Sequence, residues 1–371
     1  MFDVSNLPPL KLEEWPRVRD IVLPIEKDVG GDAMTLSSTL VEAGFCFVGE
    51  LGARRLWNPD NAALCEKMGP IIMAAHERVS AGAQRFRIDH DGLAFRAQMG
   101  RNAQGHDVSL RVLPPECPTI LQLNLPPQVR PLLLSRTLED GGLILIVGPF
   151  GQGKTTTASA LVRSRLEVFG GYGLTVEDPC ELPLQGVWGK GVCIQRPVEQ
   201  IDPYEAPGDA FFRALIGTLR QFPAIPYGTM LMVGEIQDSR TAIETLKAAV
   251  NGHLVIATLH ARSAVDAIRR MSALCSGGRD NLDNDTARDM LAAALRGVWY
   301  QRLSWLNQGE GWSRGELTGS LLWRNDPIMR AIRAGNFDAL TECAKKQRDA
   351  LSAAPSGRPM SAEDVERLLS K

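Results

Sequence analysis

Apolar residues gather into short runs along the second half of the chain, each bounded by glycine, proline or charge. The runs at 143–147, 173–177, 229–234 and 253–258 are mainly apolar and alternate with segments of helical spacing. Runs of that length predict strands buried on both faces, and the helices between them predict a mainly parallel sheet. Upstream, "GFCFVGELG" (44–52) predicts a strand, and "NAALCEKMGPIIMAAHERV" predicts a helix interrupted at Gly69-Pro70. "RFRIDHDGLAFRAQM" predicts two strands joined by a His-Asp-Gly turn, and "VSLRVL" a further strand. A small α+β domain is therefore expected over residues 1–115. Five prolines within "LPPECPTILQLNLPPQV" predict a linker at 116–130. The α/β domain is expected over 131–350, with a predominantly helical part from about Asp285, where "NDTARDMLAAALRGVWYQRL" has helical spacing. A tail helix is expected over 351–371, because Ser361 and Asp364 form a capping-box signature.

Composition adds little beyond exclusions. The 371 residues are 44% hydrophobic and 23% charged, with a net charge of −2. That balance suits ordinary globular domains and shows no overall polycationic footprint for nucleic acid or anionic lipid. No apolar run approaches the roughly 18–20 residues a bilayer crossing requires, so no transmembrane segment is expected. "MFDVSNLPPLKLEEWP" lacks the basic and apolar regions of a secretion signal. Seven cysteines without a C-x-x-C pair fit reduced thiols better than disulfides or zinc. A soluble, cytoplasmic protein is the expectation.

The chemistry concentrates at Gly148–Thr155, which reads G-P-F-G-Q-G-K-T. This matches the P-loop pattern G-x-x-x-x-G-K-[ST] completely, with a β-rich run before it and a helix after it. Glycines let the chain wrap an anion with successive N–H groups pointing inward, and the helix N-terminus adds positive potential. Lys154 is expected on the β- and γ-phosphates and Thr155 on Mg²⁺. Three further strands end in polar groups: "TVEDPCE" presents Glu177, "MLMVGEIQD" presents Glu235, and "NGHLVIATLHARSA" presents His260. In a parallel sheet the carboxyl ends of strands beside the P-loop strand face bound phosphates. A carboxylate there can orient a water or hold Mg²⁺ through one, and an imidazole can donate to a phosphoryl oxygen. Alone, Glu235 reads better as a surface glutamate after a strand, and His260 as a core histidine satisfied by backbone.

Together, "GPFGQGKTT", "TVEDPCE" and "MVGEIQDSRTAIETLKAAVNGHLVIATLHARSAVDAIRRM" resemble the PilT/GspE-type secretion and type IV pilus ATPases. There they correspond to the Walker A motif, Asp box, Walker B motif and His box. The resemblance covers about 108–335 and implies a RecA-like P-loop NTPase core of α/β class. A small, PAS-like N-terminal domain precedes that core and a helical C-terminal region follows it. It implies ATP and Mg²⁺ as ligands. Phosphate contacts would come from Gly148, Gly151, Gln152, Gly153, Lys154, Thr155 and Thr156, and Mg²⁺ contacts from Thr155 and Glu177. Glu235 would be the water-orienting base and His260 the γ-phosphate sensor. Arg96 ("LAFRAQ") and Arg111 ("VSLRVLP") fall where the family's N-terminal arginines supply positive charge to the transition state. The implied assembly is a homohexamer on the cytoplasmic face of an inner-membrane machine, without direct nucleic-acid contact.

The chain departs from the family pattern at Gln237, where arginine is usual, and at Pro149-Phe150 within the loop. It has no four-cysteine zinc insertion, and its short N-terminal domain resembles that of the retraction ATPases and the DotB/TraJ-type branch. Two other functions remain open at this level: a nucleic-acid motor on the same core, and a nucleotide-binding scaffold of low turnover.

Overall fold

The structure is a computed structural model describing residues 4–27, 34–35, 44–48, 52–56, 62–103, 105–198, 207–223, 228–277, 282–307, 312–354 and 360–370. Part of the expected strand at 44–52 lies outside them. The chain divides into two compact units.

The N-terminal unit comprises residues 1–116 with 181–183 and 306–313. After a 3₁₀ helix (Leu12–Arg17) come β1 (Val18–Lys27), β2 (Met34–Thr35), β3 (Phe45–Val48) and β4 (Ala53–Arg55). Helix α1 (Ala62–Ser80), β5 (Arg85–His90), β6 (Leu93–Asn102) and β7 (Gly105–Leu113) follow. The sheet runs β4-β3-β1-β7-β6-β5, with β2 on β1, and its pairings are antiparallel. The β5–β6 turn falls at Asp91-Gly92, both with positive φ (48° and 73°), the geometry that suits Asp-Gly. Helix α1 corrects an expectation, because it continues through Gly69-Pro70. Its stripe of Leu64, Met68, Ile71, Ala75 and Val79 is buried. Burying that stripe stabilises the helix by about 10 kcal/mol, against about 4 kcal/mol for an interior Gly-Pro.

The second unit comprises 117–180, 184–305 and 314–371. Residues 117–128 form turns rather than regular structure, as their prolines predict, yet Ile120, Leu123 and Leu125 are buried. The Ile120 amide also donates to Ser164 Oγ at 2.8 Å. Then come α2 (Val129–Leu133), a 3₁₀ turn (Arg136–Asp140), β8 (Gly142–Gly148), α3 (Lys154–Phe169), β9 (Gly171–Glu177), β10 (Gly186–Trp188) and β11 (Gly191–Pro197). The series continues with α4 (Pro207–Leu219), β12 (Thr229–Val233), α5 (Ser239–Val250), β13 (Leu254–His260), α6 (Ala264–Ser276) and α7 (Asn284–Ala294). It closes with β14 (Leu295–Asn307), β15 (Trp312–Trp323), α8 (Asp326–Arg333), α9 (Phe337–Ala353) and α10 (Ala362–Leu369).

The sheet order is β10-β11-β9-β12-β13-β8-β14-β15. The four predicted runs become the adjacent strands β9, β12, β13 and β8, all parallel. Their buried side chains meet those of α5, α6 and α7 in one core. Helix was expected through "LRGVWYQRL", but the chain becomes extended at Leu295 and runs parallel to β8. The buried residues Leu291, Leu295, Val298 and Trp299 fit helical spacing as well as a strand buried on both faces, so periodicity could not separate the two. Past β15 the expected helical part appears as α8 to α10, and Ser361 and Asp364 form the expected capping box.

Candidate functional site

The Gly-rich loop is shaped by backbone geometry that only glycine adopts readily. Gly151 and Gly153 have φ of 72° and 73°, and Gly153 is the N-cap of α3 without a side-chain cap. The first amides of α3 are thus left to face an anion. Gly148 ends β8, and a Cβ there would lie 2.5 Å from the Gln301 carbonyl oxygen, so β14 can approach closely. Lys154 is 8% exposed, and its ammonium lies 3.0 Å from Pro149 O and 3.2 Å from His260 Nδ1. Thr155 and Thr156 are half-buried in the first turn of α3.

His260 stands at the carboxyl end of β13, opposite Gly148 in the parallel register. Its Nε2 lies 2.6 Å from Glu235 Oε1. Glu235 follows β12 in a turn pinned on both sides: Gly234 N donates to Val176 O at 2.8 Å and Ile236 N to Thr258 O at 2.9 Å. Gln237 Nε2 donates to the other Glu235 oxygen. Lys154, His260, Glu235 and Gln237 therefore form one continuous chain of contacts. Phe150, 78% exposed, stacks beside the imidazole with centroids 6.0 Å apart.

An ammonium only donates, so His260 Nδ1 accepts from Lys154 and its proton belongs on Nε2, toward Glu235. Burial and the Lys154 charge, with Arg270 adding, hold the imidazole below its ordinary pKa; the Glu235 carboxylate and the Gly148 backbone only partly offset them. Neutral imidazole is the stable form. His253, the other histidine of this segment, is a packing residue. Its Nδ1 lies 2.7 Å from Thr229 Oγ1 and its ring stacks on Phe222 at 4.3 Å, just before the amino end of β13.

Glu177 ends β9, beside β12, and is 1% exposed. Its Oε1 accepts from Thr175 Oγ1 at 2.6 Å and Gln195 Nε2 at 2.9 Å. It shares the sheet edge with Glu235 and His260, but the Lys154–His260–Glu235 contacts do not run through it. Arg96 and Arg111 belong to the N-terminal unit, directly opposite each other on β6 and β7. Arg87 on β5 pairs with Arg96 in the same register, which makes a row of three arginines across one face. Each has an acidic partner: Asp89 for Arg87, Glu181 for Arg96 and Asp20 for Arg111.

One further residue matters that no motif pointed to. Gln301, fully buried on β14, donates to Gln152 O at 2.6 Å and accepts from Trp299 Nε1 at 3.1 Å. The Gln152 side chain in turn accepts from Leu303 N at 2.8 Å. The loop is thereby bolted to β14 from both directions. A polar residue in the apolar strand "GVWYQRL" was the available signal.

This geometry meets a family-scale match: residues 75–309 fit the model of the Type II/IV secretion system protein family, T2SSE. The chain belongs to the type II/IV secretion system protein family. Among its relatives, it is 35% identical over 203 residues to the uncharacterized protein YggR of Escherichia coli K12, covering 54% of this chain and 56% of YggR. It is 32% identical over 238 residues to the type IV pilus assembly ATPase PilB of Thermus thermophilus, covering 64% of this chain and 24% of PilB. The matches thus span about half or less of these relatives. Among solved structures, the fold resembles the pilus retraction motor PilT with bound ADP (TM-score 0.67, 24% identity, 97% of each chain). It also resembles the Legionella pneumophila ATPase DotB (TM-score 0.62, 20% identity, 96% of this chain and 92% of DotB). Both likenesses support the RecA-like fold expected from sequence.

Proposed function

We propose that this type II/IV secretion family protein is an ATPase that converts ATP hydrolysis into mechanical work on a secretion, conjugation or type IV pilus machine. The observation that carries this reading is the Lys154–His260–Glu235 chain at the mouth of a complete P-loop.

The loop suits a triphosphate. Its two left-handed glycines, the uncapped α3 terminus and the inward-held Lys154 all present positive potential to one place. Among the described residues no cluster of three or more His, Cys, Asp or Glu is placed to hold a metal. Mg²⁺ would therefore rely on phosphate oxygens, the Thr155 hydroxyl and a water-side carboxylate such as Glu177. When bound, Mg²⁺ supplies charge neutralisation across the phosphates.

This chain's own residues do the rest. Lys154 holds the terminal phosphates, Glu235 orients and deprotonates the attacking water, and His260 senses the γ-phosphate through its contacts with Lys154 and Glu235. Arg96 and Arg111 act on the transition state from the N-terminal unit, within a homohexamer that sits peripherally at the cytoplasmic face of an inner membrane. Among the described residues, no helix is long and apolar enough to cross a membrane.

Steady-state phosphate release by the purified chain, compared with Lys154→Ala and Glu235→Gln, tests the reading. Lys154→Ala should lose nucleotide binding, while Glu235→Gln should keep it and lose about 10²–10⁴-fold in turnover. Release no greater than that of Lys154→Ala, with nucleotide binding intact, would favour the low-turnover scaffold that the Gln237 hold on Glu235 keeps in view.

A further inference from the structure

A cavity of about 820 Å³ opens in the same unit as the P-loop but at the opposite end of the sheet. Arg296, Arg324, Arg330 and Arg367 line it, together with Trp323 and the start of α8. Arg296 lies beside Gly142, the first residue of β8, about 20 Å of strand away from Gly148.

We propose that this cavity is a binding site for a phosphate-bearing ligand, held by the guanidinium groups of Arg296, Arg324 and Arg330.

Other arginines, such as Arg54, Arg111, Arg163 and Arg333, have a carboxylate within 4 Å. Among the described residues, Arg296, Arg324 and Arg330 have none. Arg296 donates Nε to Gly141 O at 2.7 Å. Arg324 sets Nε against Met329 Sδ at 3.0 Å and NH1 against Ala293 O at 3.3 Å. Each guanidinium has five donors, so most of each fork stays available to an oxyanion. Burial lowers the Arg324 pKa, and the charges of Arg296 and Arg333 lower it further against Asp326. The local potential is therefore positive.

Carboxylates share the wall without neutralising it. Glu366 accepts from Thr137 Oγ1 at 3.3 Å, while Asp326 and Glu363 occupy first turns of α8 and α10, where helix dipoles favour them. Arg296 is also the extra residue in the β14 ladder, falling between the Leu295–Leu143 and Gly297–Ile144 pairs. Such irregularities re-aim a side chain out of the strand's alternation. The volume lies within the range of small-molecule sites.

The ligand chemistry could be a free phosphoanion or a phospholipid headgroup, and one experiment separates these sources. In the 371-residue chain carrying Lys154→Ala, which disables the P-loop lysine, pyrophosphate binding is measured by calorimetry and phosphatidic acid binding by vesicle co-sedimentation. At least one probe should bind saturably, and Arg324→Ala or Arg296→Ala should weaken it about tenfold or more. Arg324→Lys should also weaken it, because an ammonium lacks the fork. Arg330→Gln, at the exposed rim, provides the same readout should a more buried variant fail to fold. Binding of pyrophosphate alone identifies a soluble ligand, and binding of vesicles alone identifies a headgroup. If neither probe binds, or if binding survives all of these substitutions unchanged, the site is refuted.

Discussion

Lys154 and His260 stand 106 residues apart in the chain, yet meet with Nζ 3.2 Å from Nδ1. The contact fixes the tautomer of His260, and it predicts a titration. His260 should titrate below the ordinary histidine value of about 6.5. Removing the cation by Lys154→Met should move the midpoint upward, since the Lys154 charge lowers it. The unfolded chain takes up this proton first as pH falls through about 6.5, so the stability this group lends is intact above that pH. It is lost as pH falls to the lower folded midpoint. Imidazole NMR of both proteins checks this; a midpoint in Lys154→Met that stays put or falls would contradict it.

Gln237 holds Glu235 with a neutral amide, at the position where the family resemblance implies an arginine. Gln237→Arg places a cation beside the proposed base, where it competes with His260 and the attacking water for the carboxylate. Turnover should fall by up to about tenfold while the KM for ATP stays constant. Parallel kcat and KM measurements decide the matter, and unchanged kcat would mark the departure as neutral.

Gln301→Leu should loosen the nucleotide loop from a distance. It strands the Trp299 indole N–H in a buried setting and the Gln152 carbonyl in a partly buried one. Each unmet group costs about 1–3 kcal/mol. A fall in unfolding free energy of about 2–4 kcal/mol, with several-fold weaker nucleotide binding, is expected from denaturant melts and binding titrations. Wild-type values in both would show that the loop does not lean on β14.

Arg111 is well exposed and paired to Asp20, so its contribution to stability is small, within about 1 kcal/mol. Arg111→Ala should therefore fold normally, bind ATP with near-normal affinity and turn over at least tenfold more slowly. A large loss of affinity with normal turnover at saturation would remove it from the transition state.

The parallel core could be read from sequence because strands buried on both faces leave uninterrupted apolar runs, as at Leu143–Val147. The polar tips were readable for a related reason: Glu235 and His260 end such runs abruptly. What escaped depends on tertiary context. Pro70 predicts a break that the buried stripe of α1 overrides. Leu295–Leu303 has spacing that serves helix and strand alike, and β8 decides for the strand. Gln301 belongs to no motif, and its role exists only once β14 lies against the loop. The alignment of Arg87, Arg96 and Arg111 depends on register, which residue types do not dictate.

The extra residue at Arg296 has a mechanical meaning. Side chains of a strand alternate in direction, so a slip of one position inverts them all. With the irregularity in place, Tyr300 lies opposite Val147, which brings Gln301 level with the first glycine of the loop. Were the chain to slide until that surplus position was absorbed, the glutamine would swing to the other side and its grip would open. A single inserted residue thus keeps two distant ends of the sheet in phase.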